Sequence, residues 1–151
     1  MILDAKLMFS EGQALTTLGT LITSTNIIDL GSVAGKDAFG NTEMQSMAKD
    51  LTWFVNIEVA MVGSGKILYA NLVTGSAIST SIVTTSIQLA ALEFPALSAA
   101  GVKKSMKFDY AKLGRYVAVE YTATSSLTSV TVNSGLIHGY NDSEIRDKFQ
   151  G

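Results

Sequence analysis

The sequence predicts an all-β domain, a jelly roll or related β-sandwich with an extended N-terminal segment and a short C-terminal tail. Three observations carry this. Apolar residues recur at period two, Ser and Thr make up about a fifth of the 151 residues, and turn signals break the chain into short runs. Long helical patterns are absent. Spacing of this kind belongs to a sandwich or barrel rather than to a parallel α/β sheet.

The elements follow in order. Leu3 to Phe9 reads as a first strand, and Asn26-Ile27-Ile28-Asp29-Leu30 as a short second one. Residues 31–50 are Gly-, Met- and polar-rich without a clean period and read as a long loop, a feature that often serves binding. Trp53, Val55, Ile57, Val59 and Met61 then alternate with Phe54, Asn56, Glu58 and Ala60, the pattern of a half-buried strand. Gly63-Ser64-Gly65 separates this run from Lys66–Thr74, and two β runs around such a break predict a hairpin.

Ser81–Leu89, Ser105–Tyr110, Arg115–Thr122 and Ser129–Leu136 complete the strands, separated by Gly75-Ser76, Pro95–Gly101, Leu113-Gly114 and Thr124–Ser126. In the tail, Asn141 and Glu144 form a capping-box-like start, with Ile145 and Phe149 one turn apart; a short helix and a frayed terminus are both open there. The expected organisation is a single domain over residues 1–151, with 1–50 as a strand-plus-loop arm and 141–151 as a tail.

Charged residues are 16% of the chain and the net charge is −2, so no electrostatic footprint for nucleic acid is visible. Lys103, Lys104 and Lys107 form the one basic cluster, read as an exposed strand face. Without cysteine there are neither disulfides nor thiolate metal sites. Apolar stretches are short and interrupted, and the first residues lack a signal-peptide pattern, so a soluble protein made in the cytoplasm is expected, with no membrane partner.

The search for chemistry returns little. The one histidine, His138, stands at a strand end without a nominated nucleophile or orienting carboxylate. Val62-Gly63-Ser64-Gly65-Lys66 departs from a phosphate loop, with Ala60 where the first Gly belongs and Ile67 after the Lys. Glu58 and Glu120 fall on different strands and would have to face one another across a cleft to act as a glycosidase pair. Asn141-Asp142-Ser143 matches a glycosylation acceptor but carries little meaning by itself. The aromatic residues Trp53, Phe54, Tyr69, Phe94, Phe108, Tyr110, Tyr116 and Tyr121 read as core rather than as a stacking platform. No enzyme, cofactor or metal is expected.

Met1-Ile2-Leu3-Asp4, Phe9-Ser10, Gln13-Ala14-Leu15-Thr16 and Ser24-Thr25-Asn26-Ile27-Ile28-Asp29-Leu30-Gly31 together resemble the opening of podovirus-type tailed-phage capsid cement (decoration) proteins. The specific likeness spans residues 1–31, and the remainder agrees in character only, as in the strand at Arg115-Tyr116-Val117. The resemblance implies a small jelly roll on the exterior of an HK97-type capsid, bridging neighbouring major capsid proteins. It also implies homo-oligomers, with dimers at two-fold and trimers at three-fold positions both open. Residues 31–50 and 142–151 look longer than in the simplest members of that family. The contact residues expected are Ile2, Leu3, Leu7, Met8 and Phe9 in the first strand, Asn26, Ile27, Ile28, Asp29 and Leu30 in the following turn, and Ile145 and Phe149 in the tail. Core burial competes as a reading of Ile27, Ile28 and Leu30, and pairing within its own sheet competes for the first strand. A carbohydrate-binding sandwich of a phage tail or adhesion protein is the alternative function, and a barrel hydrolase a third.

Overall fold

The structure is a computed structural model that describes residues 7–16, 21–30, 51–63, 67–80, 82–84, 86–108, 112–124 and 129–138. It is an antiparallel β-sandwich. The strands are β1 (Met8–Thr16), β2 (Ile22–Thr23), β3 (Ile28–Asp29), β4 (Leu51–Val62), β5 (Leu68–Gly75), β6 (Ala77–Ser79), β7 (Ile82–Thr84), β8 (Ile87–Phe94), β9 (Lys103–Met106), β10 (Tyr116–Ala123) and β11 (Ser129–His138). One sheet has the order β1-β11-β4-β9. The other has the order β2-β10-β5-β8, with β3 on the same edge of β10 as β2, and β6-β7 form a separate hairpin.

Alternation places Trp53, Val55 and Ile57 of β4 on the inner face of the first sheet, where they meet Leu68, Ala70 and Leu72 of β5 in one apolar core. Burying each large aliphatic or aromatic side chain there contributes about 1.5–3 kcal/mol. Val59 breaks the alternation and lies exposed. The register between β4 and β11 slips twice near it, Thr131 pairing with Val59 while Val132 pairs with Ile57, so Glu58 is an extra residue and the strand rotates.

Several sequence expectations change. Of the strand expected over Leu3–Phe9, residues 3–6 lie outside the described residues; the described strand begins at Met8 and continues to Thr16, and β2 comes in addition to β3. The stretch expected as one strand over Ser81–Leu89 divides between β7 and β8, and β8 continues to Phe94, stopping before Pro95. Most consequentially, β4 and β5 do not pair. The break after Val62 is a crossover between sheets, since β4 bonds β11 and β9 while β5 bonds β10 and β8. Alternation in neighbouring runs is the same whether two strands pair or face each other across a core. The tail and residues 31–50 lie outside the described residues.

A chain of polar groups crosses the core. Trp53 Nε1 donates to Ser134 Oγ at 3.1 Å, and Ser134 also bonds Tyr121, whose hydroxyl lies 2.8 Å from Ser10 Oγ. Ser10 in turn donates to Gln13 Oε1 at 2.6 Å. With that proton committed, the Tyr121 hydroxyl donates to Ser10 Oγ. Gln13 extends the chain to the backbone at the end of β2 and just after it, its Nε2 donating to Thr23 O and its Oε1 accepting from Thr25 N–H. Because Tyr121 stands on β10 and Ser10 and Ser134 on β1 and β11, the chain ties one sheet to the other.

The outer faces differ. The β6-β7 hairpin lies over the second sheet, where Val83 packs with Val73 and Ala118. It comes so close that a Cβ on Gly75 would stand 2.5 Å from Thr84 O. On the outer side of the first sheet, Phe54 and Ile137 pack with Met8, and a Cβ on Gly135 would meet Met8 Sδ at 2.7 Å.

Tyr121→Phe should cut the link between Ser10 and Ser134, leaving Ser10 only its bond to Gln13 and Ser134 only its bond from Trp53, and lower stability by about 1–3 kcal/mol, read as a shift of the urea midpoint. Burial pushes the Tyr121 hydroxyl up to about 12, the largest of its influences. A raised acid favours the protonated fold, so its contribution is intact below the ordinary tyrosine range near 10 and is lost as pH climbs to about 12. Stability should fall by roughly 2–3 kcal/mol across that window, and Tyr121→Phe should remove most of the slope.

Candidate functional site

The segment Leu21–Leu30 straps the two sheets together. It follows β1 in the sequence and pairs through β2 with Glu120 and Tyr121, and through β3 with Tyr116 and Val117, all on β10. Between those two short pairings the backbone is held by side chains. Ser24 N–H donates to Val119 O at 2.7 Å, Val119 N–H returns to Ser24 Oγ at 3.1 Å, and Ser24 Oγ donates to Asn26 O. Asn26 reaches the other sheet: its N–H donates to Phe9 O at 2.9 Å and its Nδ2 to Met8 O at 3.3 Å. A Ser and an Asn two residues apart thus replace the ladder bonds that the chain gives up between β2 and β3.

Asp29 and Arg115 close the strap at its end. Arg115 Nε and Nη2 each donate at 2.9 Å to one Asp29 carboxylate oxygen, a bidentate pair on the surface, and the guanidinium lies 4.9 Å from the Tyr116 ring centre. The hydrogen bond to Asp29 raises the Arg115 guanidinium above its ordinary value. Leu30 N–H donates to Arg115 O, continuing the ladder past the pair.

The structure places the expected contact residues as follows. Phe9 and Ile28 are buried in the core, and Leu7 and Leu30 pack against it half-buried. Met8 sits on the outer side of the first sheet beside Phe54, and Ile27 packs under the β6-β7 hairpin with Val73 and Val83. Asn26 and Asp29 are exposed, though both already hold partners within the chain. Ile2, Leu3, Ile145 and Phe149 lie outside the described residues. The strap is therefore a structural seam, and a partner would reach it mainly through Asn26 and Asp29.

A different surface had no signature in the sequence. At the end where β1, β4, β8 and β10 finish, Leu21 (47% exposed), Val59 (54%), Val62 (51%) and Leu97 (62%) present aliphatic side chains to solvent. The turn after β8 is pinned there by Met61 N–H to Ser98 O at 3.0 Å, and Ser98 Oγ donates to Pro95 O. Leu97 adopts a positive φ of 58°, uncommon for a bulky side chain. Solvated aliphatic side chains at one end of the sandwich leave apolar area there uncovered.

Groups suited to chemistry are dispersed. Glu58 accepts from Asn133 Nδ2 at 3.3 Å on the outer side of the first sheet, whereas Glu120 stands on the outer side of the second, so the core separates them. Burial against the sheet pushes the Glu120 carboxyl up from its ordinary value. Among the described residues no three His, Asp or Glu side chains gather. Trp53, Phe94 and Tyr121 are buried between the sheets and Phe54 is buried on the outer side of the first, while Tyr69 and Tyr116 are half-buried.

No family model matches the chain, and comparison with curated proteins finds no match.

Ser24→Ala removes the acceptor for Val119 N–H and the donor to Asn26 O inside a nearly buried site. It should destabilise the fold by about 1–3 kcal/mol. Hydrogen exchange should accelerate at Val119 more than at Val132, which lies in the opposite sheet.

Proposed function

We propose that this chain is a structural virion protein that binds the exterior of an HK97-type phage capsid and cements contacts between its major capsid proteins. It works without catalysis or cofactor, is made in the host cytoplasm, and has the capsid protein and further copies of itself as partners. The observation that carries the reading is the exposure of Leu21, Val59 and Val62 toward one end of the sandwich, apolar area that gains free energy when another apolar surface covers it.

Two other features support it. Of the residues that resemble the opening of cement proteins, the described ones fall in two elements of this fold, Phe9, Ser10 and Gln13–Thr16 in β1 and Ser24–Leu30 in the strap. The strand order also suits a jelly roll. With β2 and β3 taken as one broken strand and the β6-β7 hairpin set aside, eight strands remain, in the sheet orders 1-8-3-6 and 2-7-4-5. That interleaving follows from two Greek keys wrapped together.

A cement protein needs area and repetition rather than a reactive group. Many copies on one shell convert modest individual affinities into firm attachment. Few charges on the docking surface limit the desolvation cost of each contact. The carbohydrate-binding reading needs a row of exposed aromatic rings, and among the described residues the large rings are interior, half-buried or, at Tyr116, stacked with Arg115.

Val62→Asp and Leu21→Asp should leave the circular dichroism spectrum and thermal midpoint near wild type. Each should cut occupancy on purified expanded capsids by roughly tenfold or more, since a carboxylate would be desolvated against an apolar surface. Full occupancy of both variants in a pelleting assay, or wild-type protein that binds no shell, would overturn the proposal.

A further inference from the structure

A sandwich has four sheet edges, and three of these are protected in recognisable ways. β9 is four residues long and carries Lys103 and Lys104, with Lys107 beyond it. β1 is interrupted by two register shifts, carries Glu11, and bends at Gly12, whose φ is +58°. β2 and β3 are two residues each. Short strands, charge and bulges are the devices that stop edges from pairing with other chains.

The fourth edge, β8, is different. It is eight residues long, and residues 67–92 contain no charged side chain, so β8 meets its first charge at Glu93. Its one irregularity is the extra residue Leu89. Beyond it, Ala90–Phe94 run in unbroken register against Leu68–Leu72. Among the described residues no strand pairs its other side.

The direction of the open backbone groups can be read off. Lys104 Nζ donates to Glu93 O at 2.6 Å from the β9 side, so the Glu93 carbonyl points away from β5. In an antiparallel ladder alternate residues turn both backbone groups to the same side. Ala91 therefore also presents its N–H and C=O at the open edge, and its small side chain is exposed.

We propose that two copies of this chain pair their β8 strands antiparallel across a two-fold axis at Ala91, joining the two second sheets into one. The occupant is a second copy because the edge is self-complementary. At such an axis Ala91 exchanges both hydrogen bonds with its counterpart, and nothing larger than a methyl group meets its own image. Glu93 of one copy then faces the region of Leu89 in the other, so like charges do not meet, although like charges directly opposite would repel. Ile87, 55% exposed, approaches Pro95 of the other copy, adding an apolar contact on each side of the axis. Lys104 keeps the Glu93 carbonyl, which limits the shared ladder to its centre. The pairing is a property of the edge and stands apart from the capsid reading.

Sedimentation of the purified full chain over a range of concentrations tests this. Wild-type protein should form a reversible dimer. Ala91→Pro removes a donor that makes no bond within its own sheet, a substitution that edge strands tolerate, and should yield a monomer with an unchanged thermal midpoint. Ala91→Lys sets two cations opposite each other and should weaken dimerisation roughly two- to fivefold at low salt, with recovery as salt rises. Thr16→Lys, on the edge of the other sheet, should leave the dimer untouched. A wild-type monomer at all concentrations, a trimer, which an isologous edge pair cannot close, or undiminished dimerisation of Ala91→Pro would overturn the proposal. If the proline variant does not fold, Ala91→Lys decides, and an unchanged dimerisation constant overturns it.

Discussion

The polar chain through the core, from Trp53 by way of Ser134, Tyr121 and Ser10 to Gln13, constrains everything else in this sandwich. Apolar packing alone would let one sheet slide or rotate over the other at small cost, because aliphatic contacts have little direction. A hydroxyl in a dry interior has few acceptable positions, and leaving it unmet costs more than making it gains. Four strands are placed relative to one another by these groups: β1, β4, β10 and β11. Through Gln13 the strap is placed as well, since Thr25 and Thr23 both bond that one amide.

Much of the fold was legible because the interior strands announce themselves. β4, β10 and β11 carry long alternating runs whose inner residues are fully buried, and their bounds lie within a few residues of the sequence reading. Pairing was not legible. The crossover after Val62 has the composition of a hairpin turn, and only the distant partners Tyr116–Ala123 and Ser129–His138 decide which sheet each strand joins. Bulges were hidden too, since Val59 continues the apolar alternation of Trp53, Val55 and Ile57 yet lies outside. Nothing local signals that Glu58 is an extra residue.

The functional reading divides along the same line. The Ser24–Leu30 segment stands out in the sequence, and in the structure its polar side chains serve the chain itself. Ser24 and Asn26 hold backbone, and Asp29 holds Arg115. A distinctive motif can thus record the needs of the chain's own edge rather than those of a partner. The exposed aliphatic end and the bare edge of β8 belong to no motif. Leu21, Val62 and Leu97 come from three separate stretches of the chain, and only the fold brings them toward one end of the sandwich. The edge shows itself through what its residues lack, and that becomes meaningful once the other three edges are seen to be guarded.

The pairing of β1 with β11 joins the first described strand to the last, Met8 lying opposite Gly135. A strand whose neighbour is encoded so much later must wait, unpaired, while the ribosome makes everything between them. Such nonlocal closure slows folding and leaves the earlier strand available to bind elsewhere in the meantime. Completion of the first sheet is therefore paced by the arrival of β11, whatever the speed at which the second sheet forms.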